Sequence, residues 1–157
     1  MDLAKKEIML KLLFITSSIV ALDQALKFLI TTRLKFQEII EINSILKIVY
    51  FRNDGAAFGF LSNAGGWQRY FLLFVGAIAV TAIPFLIKKY RNESIVVAGL
   101  VLILAGAIGN LYDRFFLGYV VDFILFHVEQ YYWPAFNVAD ASISVGAMLL
   151  IYDSIKK

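Results

Sequence analysis

The sequence predicts an all-α membrane protein built as a bundle of four transmembrane helices, and two observations predict it. First, 61% of the 157 residues are hydrophobic and 17% are charged, whereas soluble domains average about 45 to 50% and about 25%. Second, four apolar stretches reach the roughly 20 helical residues that cross a bilayer core of about 30 Å. The mean hydropathy of +0.76 agrees with this class. We expect one membrane domain.

The predicted spans cover residues 9–30, 68–87, 94–112 and 137–155. The first span follows a short basic start, as a secretory signal peptide does, but its apolar run is too long and no A-x-A site follows it. We therefore interpret it as a retained helix. Segments 31–67 and 113–136 then emerge at the same membrane face. The stretch 38–53 is rich in β-branched residues and ends in a turn-forming Asn-Asp-Gly group, which predicts strands at the membrane surface.

Lysines and arginines are divided almost evenly between the two sides of this topology. The compact basic turn at residues 88–91 and the lysine-containing tails favour a cytoplasmic location for both termini, with segments 31–67 and 113–136 extracytoplasmic. The net charge of +3 suits a protein surrounded by membrane lipids, and no dense basic cluster indicates nucleic acid as a partner. Because cysteine is absent, the sequence offers no disulfide and no thiolate metal site.

Two aspartates, Asp122 and Asp140, lie in the apolar, aromatic stretch 119–146. An aspartate at the centre of a span costs about 2.5 to 3.5 kcal/mol, so such residues are candidates for function. The helix dipole would favour Asp140 in the first turn of the fourth span, whereas no base adjoins Asp122 in what we interpret as a short loop. Spacing leaves two alternatives: a solvated Asp122, or an Asp122 that approaches Asp140 and shares one proton with it, as in aspartic proteases.

The other polar residues give weaker signals. Asp23 precedes Lys27 by one helical turn, which predicts an ion pair. Asp113 and Arg114 close the third span, where they tie the helix end to a loop or support catalysis. His127 is the only histidine and is interpreted as a loop residue, which argues against zinc. An oxygen-only Mg²⁺ or Ca²⁺ site has no loop signature here, so we expect no cofactor.

Five motifs together resemble the lipoprotein signal peptidases, also called type II signal peptidases. They occur in the family's order and extend over essentially the whole chain. They are DQALK (23–27), NDGAAFG (53–59), GNLYDR (109–114), VVDF (120–123) and FNVAD (136–140).

The resemblance implies a bacterial inner-membrane aspartic endopeptidase that removes the signal peptide from diacylglyceryl-modified prolipoproteins, just before the lipidated cysteine. By motif position, Asp122 and Asp140 would be the catalytic pair. The family's fold adds a small extracytoplasmic β-cradle and a short surface helix to the four spans. These features match the strand-like stretch 38–52 and the region 56–66.

The resemblance also implies a set of residues that line or support the site: Asn53, Gly55, Asn110, Asp113, Arg114 and Asn137. The amides and the arginine would hold the substrate backbone and orient the two aspartates. Asp23 would brace the extracytoplasmic loop, and Lys27 would be a further supporting residue. Leu26 departs from the Thr or Ser that we expect in the family, which puts an interhelical hydrogen bond in question.

Two other functions compete with the peptidase. A proton-coupled carrier would need acids along a path across the bilayer, but the acids cluster toward one face and Asp153 is the only acid in a span that would extend such a path. A non-catalytic relative that binds lipoproteins would not require both candidate catalytic acids. Because one chain supplies both of them, we expect a functional monomer.

Overall fold

The computed structural model describes residues 3–55 and 65–157. Within them the helices are α1 (Leu3–Arg33), α2 (Trp67–Lys89), α3 (Ser94–Phe116) and α4 (Val138–Lys156). The strands are β1 (Ile39–Glu41), β2 (Leu46–Asn53), β3 (Val120–Val128) and β4 (Tyr131–Tyr132). All four helices are long and apolar enough to cross a membrane, which confirms the predicted number and type of apolar helices.

Helix α3 is the most enclosed of the four. In its most apolar 18-residue stretch half of the residues are buried, against 22% for α1, 11% for α4 and 6% for α2. Glycines bring its backbone close to the neighbouring helices. A Cβ at Gly106 would lie 2.3 Å from the carbonyl oxygen of Ala139 in α4, and one at Gly109 would lie 2.8 Å from Asp23 Oδ2 in α1. Only a residue without a side chain permits these approaches.

The strands form one antiparallel sheet in the order β1-β2-β3-β4. Strand β2 pairs with β3 from Leu46 opposite Phe126 to Asn53 opposite Val120. The register is irregular between Ile48 and Phe51, which locally disrupts the strand as a bulge does. A small apolar core joins the sheet to α1 and consists of Ile30, Tyr50, Val121 and Phe123.

The sheet lies at the end of the bundle where α1 and α3 end and where α2 and α4 begin, which we call the sheet end. Arg69 Nε, at the start of α2, donates to the carbonyl oxygen of Arg114 at the end of α3, at 3.2 Å. At the opposite end of the bundle, Lys157 forms an ion pair with Glu93. The paired ends agree with the up-and-down order of the helices.

The strand prediction for 38–53 is confirmed by β1 and β2, but the interpretation of Asp122 and His127 as loop residues is wrong. Asp122 and His127 lie on strand β3. This strand is stabilised by pairing with β2, which is distant in sequence. Helix α3 also continues to Phe116, so Asp113 and Arg114 belong to its last turns. The predicted surface helix at 56–66 lies outside the described residues, apart from the turn at 65–66.

Candidate active site

Two carboxylates are joined by a single residue, Asn137: the buried Asp122 on β3 and the half-buried Asp140 in the first turn of α4. The Asn137 side chain donates from Nδ2 to Asp122 Oδ1 at 2.7 Å. Its backbone N–H donates to Asp140 Oδ2 at 3.2 Å. The structure therefore brings the two acids of the sequence hypothesis to the same asparagine.

Asn137 is the N-cap of α4, and its position follows from local sequence. Its Oδ1 accepts a hydrogen bond from the backbone N–H of Asp140 at 2.8 Å. In turn, the Asp140 side chain accepts the backbone N–H of Asn137, which completes a capping box. Asn137 is fully buried. The pattern Asn-x-x-Asp before an apolar run could have indicated this helix start from sequence.

Two further amides complete the contacts of the acid pair. Asn53, the last residue of β2, donates from Nδ2 to Asp122 Oδ2 at 3.0 Å. Asn110, near the end of α3, donates from Nδ2 to Asp140 Oδ1 at 2.8 Å. Each of the four carboxylate oxygens therefore accepts an N–H group. Hydrogen bonds of this kind hold both side chains in fixed orientations and stabilise an ionised carboxylate.

Burial raises the pKa of Asp122 to about 7, and the negative charge of Asp140 adds to the effect. The hydrogen bonds from Asn53 and Asn137 oppose this shift. Near neutral pH the Asp122 carboxyl can thus carry a proton while an anion lies beside it. Such an arrangement offers a general acid and a general base in one site.

A buried ion cluster is connected to the acid pair through Asn110. Lys27 Nζ is 2.8 Å from Asp23 Oδ2 and 2.9 Å from Asp113 Oδ2, and all three side chains are at most 3% exposed. The predicted pairing of Asp23 with Lys27 is confirmed. Asp113 Oδ2 also accepts the backbone N–H of Val121 at 3.1 Å, so the cluster fixes the start of the strand that carries Asp122.

The contact that Asp23 makes with a distant part of the chain is with a helix rather than with a loop. Its Oδ1 accepts the backbone N–H of Ala139 at 2.9 Å, which connects α1 to the start of α4. Gln24, a residue that sequence reasoning missed, donates from Nε2 to Asp113 Oδ1 at 2.9 Å and to the carbonyl oxygen of Gly109 at 3.2 Å. Its only signal was its position beside Asp23. Leu26 packs against the apolar core of the sheet.

Arg114 connects α3 to the end of β2. Its Nη2 donates to the carbonyl oxygen of Gly55 at 2.7 Å, and the Gly55 N–H donates to Asn53 Oδ1 at 3.0 Å. The ten site residues expected from the sequence therefore lie in one connected network at the sheet end. They are Asp23, Lys27, Asn53, Gly55, Asn110, Asp113, Arg114, Asp122, Asn137 and Asp140.

An open, mostly apolar groove of about 790 Å³ is lined by Asn53 and by Asp140, one of the two acids. It continues along α4 past Val145 to Met148 and is bounded by the segment that carries Trp133. From 140 to 148 a helix advances about 12 Å. The groove can accept an extended apolar group whose polar end reaches the acids.

Among the described residues, no three acidic or histidine side chains converge as a metal ion would require.

Comparisons with known proteins agree with this geometry. The sequence profile of the family described as signal peptidase (SPase) II matches residues 15–156. A lipoprotein signal peptidase from Janthinobacterium sp. (strain Marseille) is 42% identical over 149 residues, covering 95% of this chain and 90% of the relative. The corresponding protein of Ralstonia nicotianae (strain ATCC BAA-1114 / GMI1000) is 44% identical over 138 residues, covering 88% of this chain and 80% of the relative.

Two solved structures of bacterial membrane enzymes have the same fold. A bacterial membrane enzyme structure determined by the in meso method superposes with a TM-score of 0.84 at 33% identity, over 93% of this chain and 88% of the other. A second such structure gives a TM-score of 0.81 at 33% identity, over 94% of both chains. The sequence profile, the curated relatives and the fold agree, and the chain therefore belongs to the signal peptidase II family of membrane-embedded aspartic peptidases.

Proposed function

We propose that this protein removes signal peptides from diacylglyceryl-modified bacterial prolipoproteins and cuts just before the lipidated cysteine, with Asp122 and Asp140 as the catalytic pair. The observation that carries the proposal is the contact of both carboxylates with Asn137. Membership of the signal peptidase II family supports the substrate class.

In the proposed mechanism, ionised Asp140 accepts a proton from a water molecule as that water attacks the scissile carbonyl carbon. Protonated Asp122 donates its proton toward the carbonyl oxygen. The raised pKa of Asp122, about 7, supports this division of roles near neutral pH. As the tetrahedral intermediate collapses and its C–N bond breaks, protonated Asp140 donates its proton to the leaving amine nitrogen. Asp122 takes the proton of one hydroxyl of the intermediate as the carbonyl forms again, so the pair returns to its starting state with one proton.

The groove supports the choice of a lipidated substrate. Its walls are mostly apolar, and its end at Asn53 and Asp140 is polar. An acyl chain or an apolar signal sequence would lie along α4, while the peptide bond beside the modified cysteine would reach the acids. We propose that Asn53, Gly55, Asn110 and Arg114 hold the substrate backbone near the catalytic pair.

We propose further that the protein resides in the bacterial inner membrane among membrane lipids, with both termini cytoplasmic and the sheet end extracytoplasmic. This orientation would place the site where a translocated prolipoprotein meets the membrane surface. A single chain supplies both acids, so we propose a functional monomer. Mixing Asp122→Asn chains with Asp140→Asn chains tests this, because recovered activity would contradict it.

The decisive experiment is a cleavage assay with purified protein in detergent and a diacylglyceryl-modified prolipoprotein peptide. We expect the parent to cut before the lipidated cysteine and to leave the unmodified peptide largely intact. Asp122→Asn and Asp140→Asn should bind the peptide without cutting it. Asp153→Asn is a matched control, because Asp153 lies in α4 but pairs with Lys157 at the opposite end of the bundle. If the dyad variants cut as fast as the parent, the proposed mechanism is wrong.

A further inference from the structure

Among the described residues, three asparagine amides donate N–H groups to the acid pair: Asn53, Asn110 and Asn137. The oxygen and the nitrogen of an amide have nearly the same shape, so rotation by a half turn would direct a carbonyl oxygen at a carboxylate. A donor that faces the carbonyl oxygen prevents this rotation. What binds each carbonyl oxygen therefore determines whether the amide serves the acids.

Backbone groups fix two of the three amides. Asn53 Oδ1 accepts the backbone N–H of Gly55 at 3.0 Å, and Asn137 Oδ1 accepts the backbone N–H of Asp140 at 2.8 Å. A backbone N–H cannot act as an acceptor, so it specifies an oxygen opposite itself. These two orientations follow from a turn and from a helix cap.

The third amide, that of Asn110, has a side chain as its principal donor. Its Oδ1 lies 3.2 Å from Lys27 Nζ, and a lysine ammonium has three N–H groups and no acceptor. Asn137 Nδ2 also lies 3.3 Å from this oxygen. However, that nitrogen has only two hydrogens and closer acceptors in Asp122 Oδ1 at 2.7 Å and the carbonyl oxygen of Val121 at 3.2 Å.

The surroundings of Lys27 hold its ammonium group in place. The side chain is 3% exposed, and its three acceptors are Asp23, Asp113 and Asn110. Three N–H groups thus meet three oxygens within the protein. The ammonium has no reason to turn away from Asn110, because any other direction would leave one of these buried groups unpaired.

We propose that Lys27 is a positioning residue for the catalytic pair: it fixes the Asn110 amide so that its N–H group donates to Asp140 and keeps that carboxylate ionised as the base. This inference rests on the proposed function. The other charged groups near Asp140 are Asp122 and Arg114, and neither of them determines the direction of the amide. Without Lys27 the amide is free to turn its oxygen toward Asp140, which would favour protonation of the base.

The test is the pH dependence of single-turnover cleavage by Lys27→Met, from about pH 5 to about pH 9. We expect a loss of about 10- to 100-fold at the acidic end, by analogy with other groups that orient a reactive side chain, and a smaller loss at the alkaline end. The acidic limb should thus move to higher pH. Lys27→Arg, which keeps the donors, should restore the limb toward its parental position.

Removal of the ammonium also leaves two buried acids without their partner, so a charge-conserving variant is needed. Asp23, Lys27 and Asp113 together carry a net charge of −1. The double variant Lys27→Met/Asp113→Asn keeps that value, because only one acid remains. Its acidic limb should move as in Lys27→Met, whereas Asp153→Asn, which removes an acid at the opposite end of the bundle, should leave the limb in place.

A merely structural role for Lys27 would reduce the folded fraction and scale the whole profile without moving a limb. Asn110→Ala provides a measurement that does not depend on the folding of any Lys27 variant, because it should move the same limb. In combination with Lys27→Met the two losses should not add, since both act through one amide. Additive losses, or an unmoved limb in Asn110→Ala, would overturn the inference.

Failure of this inference is distinguishable from failure of the proposed function. If Asp122→Asn and Asp140→Asn are inactive while the Lys27 variants keep the parental limb, only the positioning role is wrong. If the dyad variants cut like the parent, the proposed mechanism and the positioning role are both wrong.

Discussion

Replacing Asp122 by asparagine should change the pH dependence of stability in a direction and by an amount that the structure defines. The carboxyl is 3% exposed, and burial raises its pKa from 3.8 to about 7. Below pH 3.8 it is protonated in both the folded and the unfolded states. Between 3.8 and about 7 the unfolded chain releases a proton that the folded protein retains, so the parent loses stability as pH rises, and above about 7 the loss is complete.

The full loss in the free energy of unfolding corresponds to about 4 kcal/mol, at about 1.4 kcal/mol for each tenfold change in proton affinity. About 2 to 3 kcal/mol of it falls between about pH 5 and about pH 8. Asp122→Asn removes the ionisation and with it this part of the pH dependence. The melting temperature of the variant relative to the parent should therefore be roughly 5 to 10 °C higher at about pH 8 than at about pH 5.

The assay is thermal unfolding in detergent, followed by circular dichroism at the two pH values. The new amide also faces the Asn53 amide with a donor, but this penalty is the same at both pH values and cancels in the comparison. Asp54→Asn is a matched control, because Asp54 is exposed and its removal should not produce the difference. If the melting difference between Asp122→Asn and the parent is equal at the two pH values, the assignment of a buried, protonated Asp122 is refuted.

Three further outcomes follow from the geometry. The cleavage rate should fall as pH rises above about 7, because Asp122 then loses the proton that it donates, and a rate that keeps rising through about pH 9 would contradict this role. Gly106→Ala should cost about 1 to 3 kcal/mol in thermal unfolding, because its Cβ would lie 2.3 Å from a backbone oxygen of α4. Gly76→Ala, which meets only the end of a leucine side chain at 2.9 Å, should cost less, and equal losses would argue against the close helix contact. Asn137→Ser should retain the helix cap, so its free energy of unfolding should be about 1 kcal/mol higher than that of Asn137→Ala. Both variants should lose about 100-fold in cleavage rate. Parental cleavage by Asn137→Ser would show that the cap alone matters.

The features that sequence predicted well are those that depend on neighbouring residues. The four apolar helices follow from sums over about 20 residues. The pairing of Asp23 with Lys27 follows from the helical repeat, and the measured 2.8 Å distance confirms it. Strands β1 and β2 follow from β-branched composition before the turn that starts at Asn53. The catalytic roles of Asp122 and Asp140 remain a prediction, for which the geometry supplies support.

The features that sequence missed depend on partners far along the chain. The sequence does not show that Asp122 lies in a paired strand, because its partner strand β2 is far away along the chain: the hydrogen bond from Asn53 to Asp122 has a separation of 69. Gln24 reaches Asp113 over a separation of 89, and Asp23 reaches Ala139 over 116. No local pattern encodes such contacts.

The sequence by itself predicted four apolar helices of membrane-spanning length, and it predicted that Asp23, Asp113, Asp122 and Asp140 lie toward one end of them. Hydropathy and helix parity suffice for this, because both are properties of the chain alone. Only the tertiary structure decided that Asp122 and Asp140 meet at Asn137 and that Lys27 faces Asn110. These contacts depend on the register of β3 with β2 and on the close approach of α3 to α4 at Gly106. They arise from packing between segments, which hydropathy and spacing do not specify.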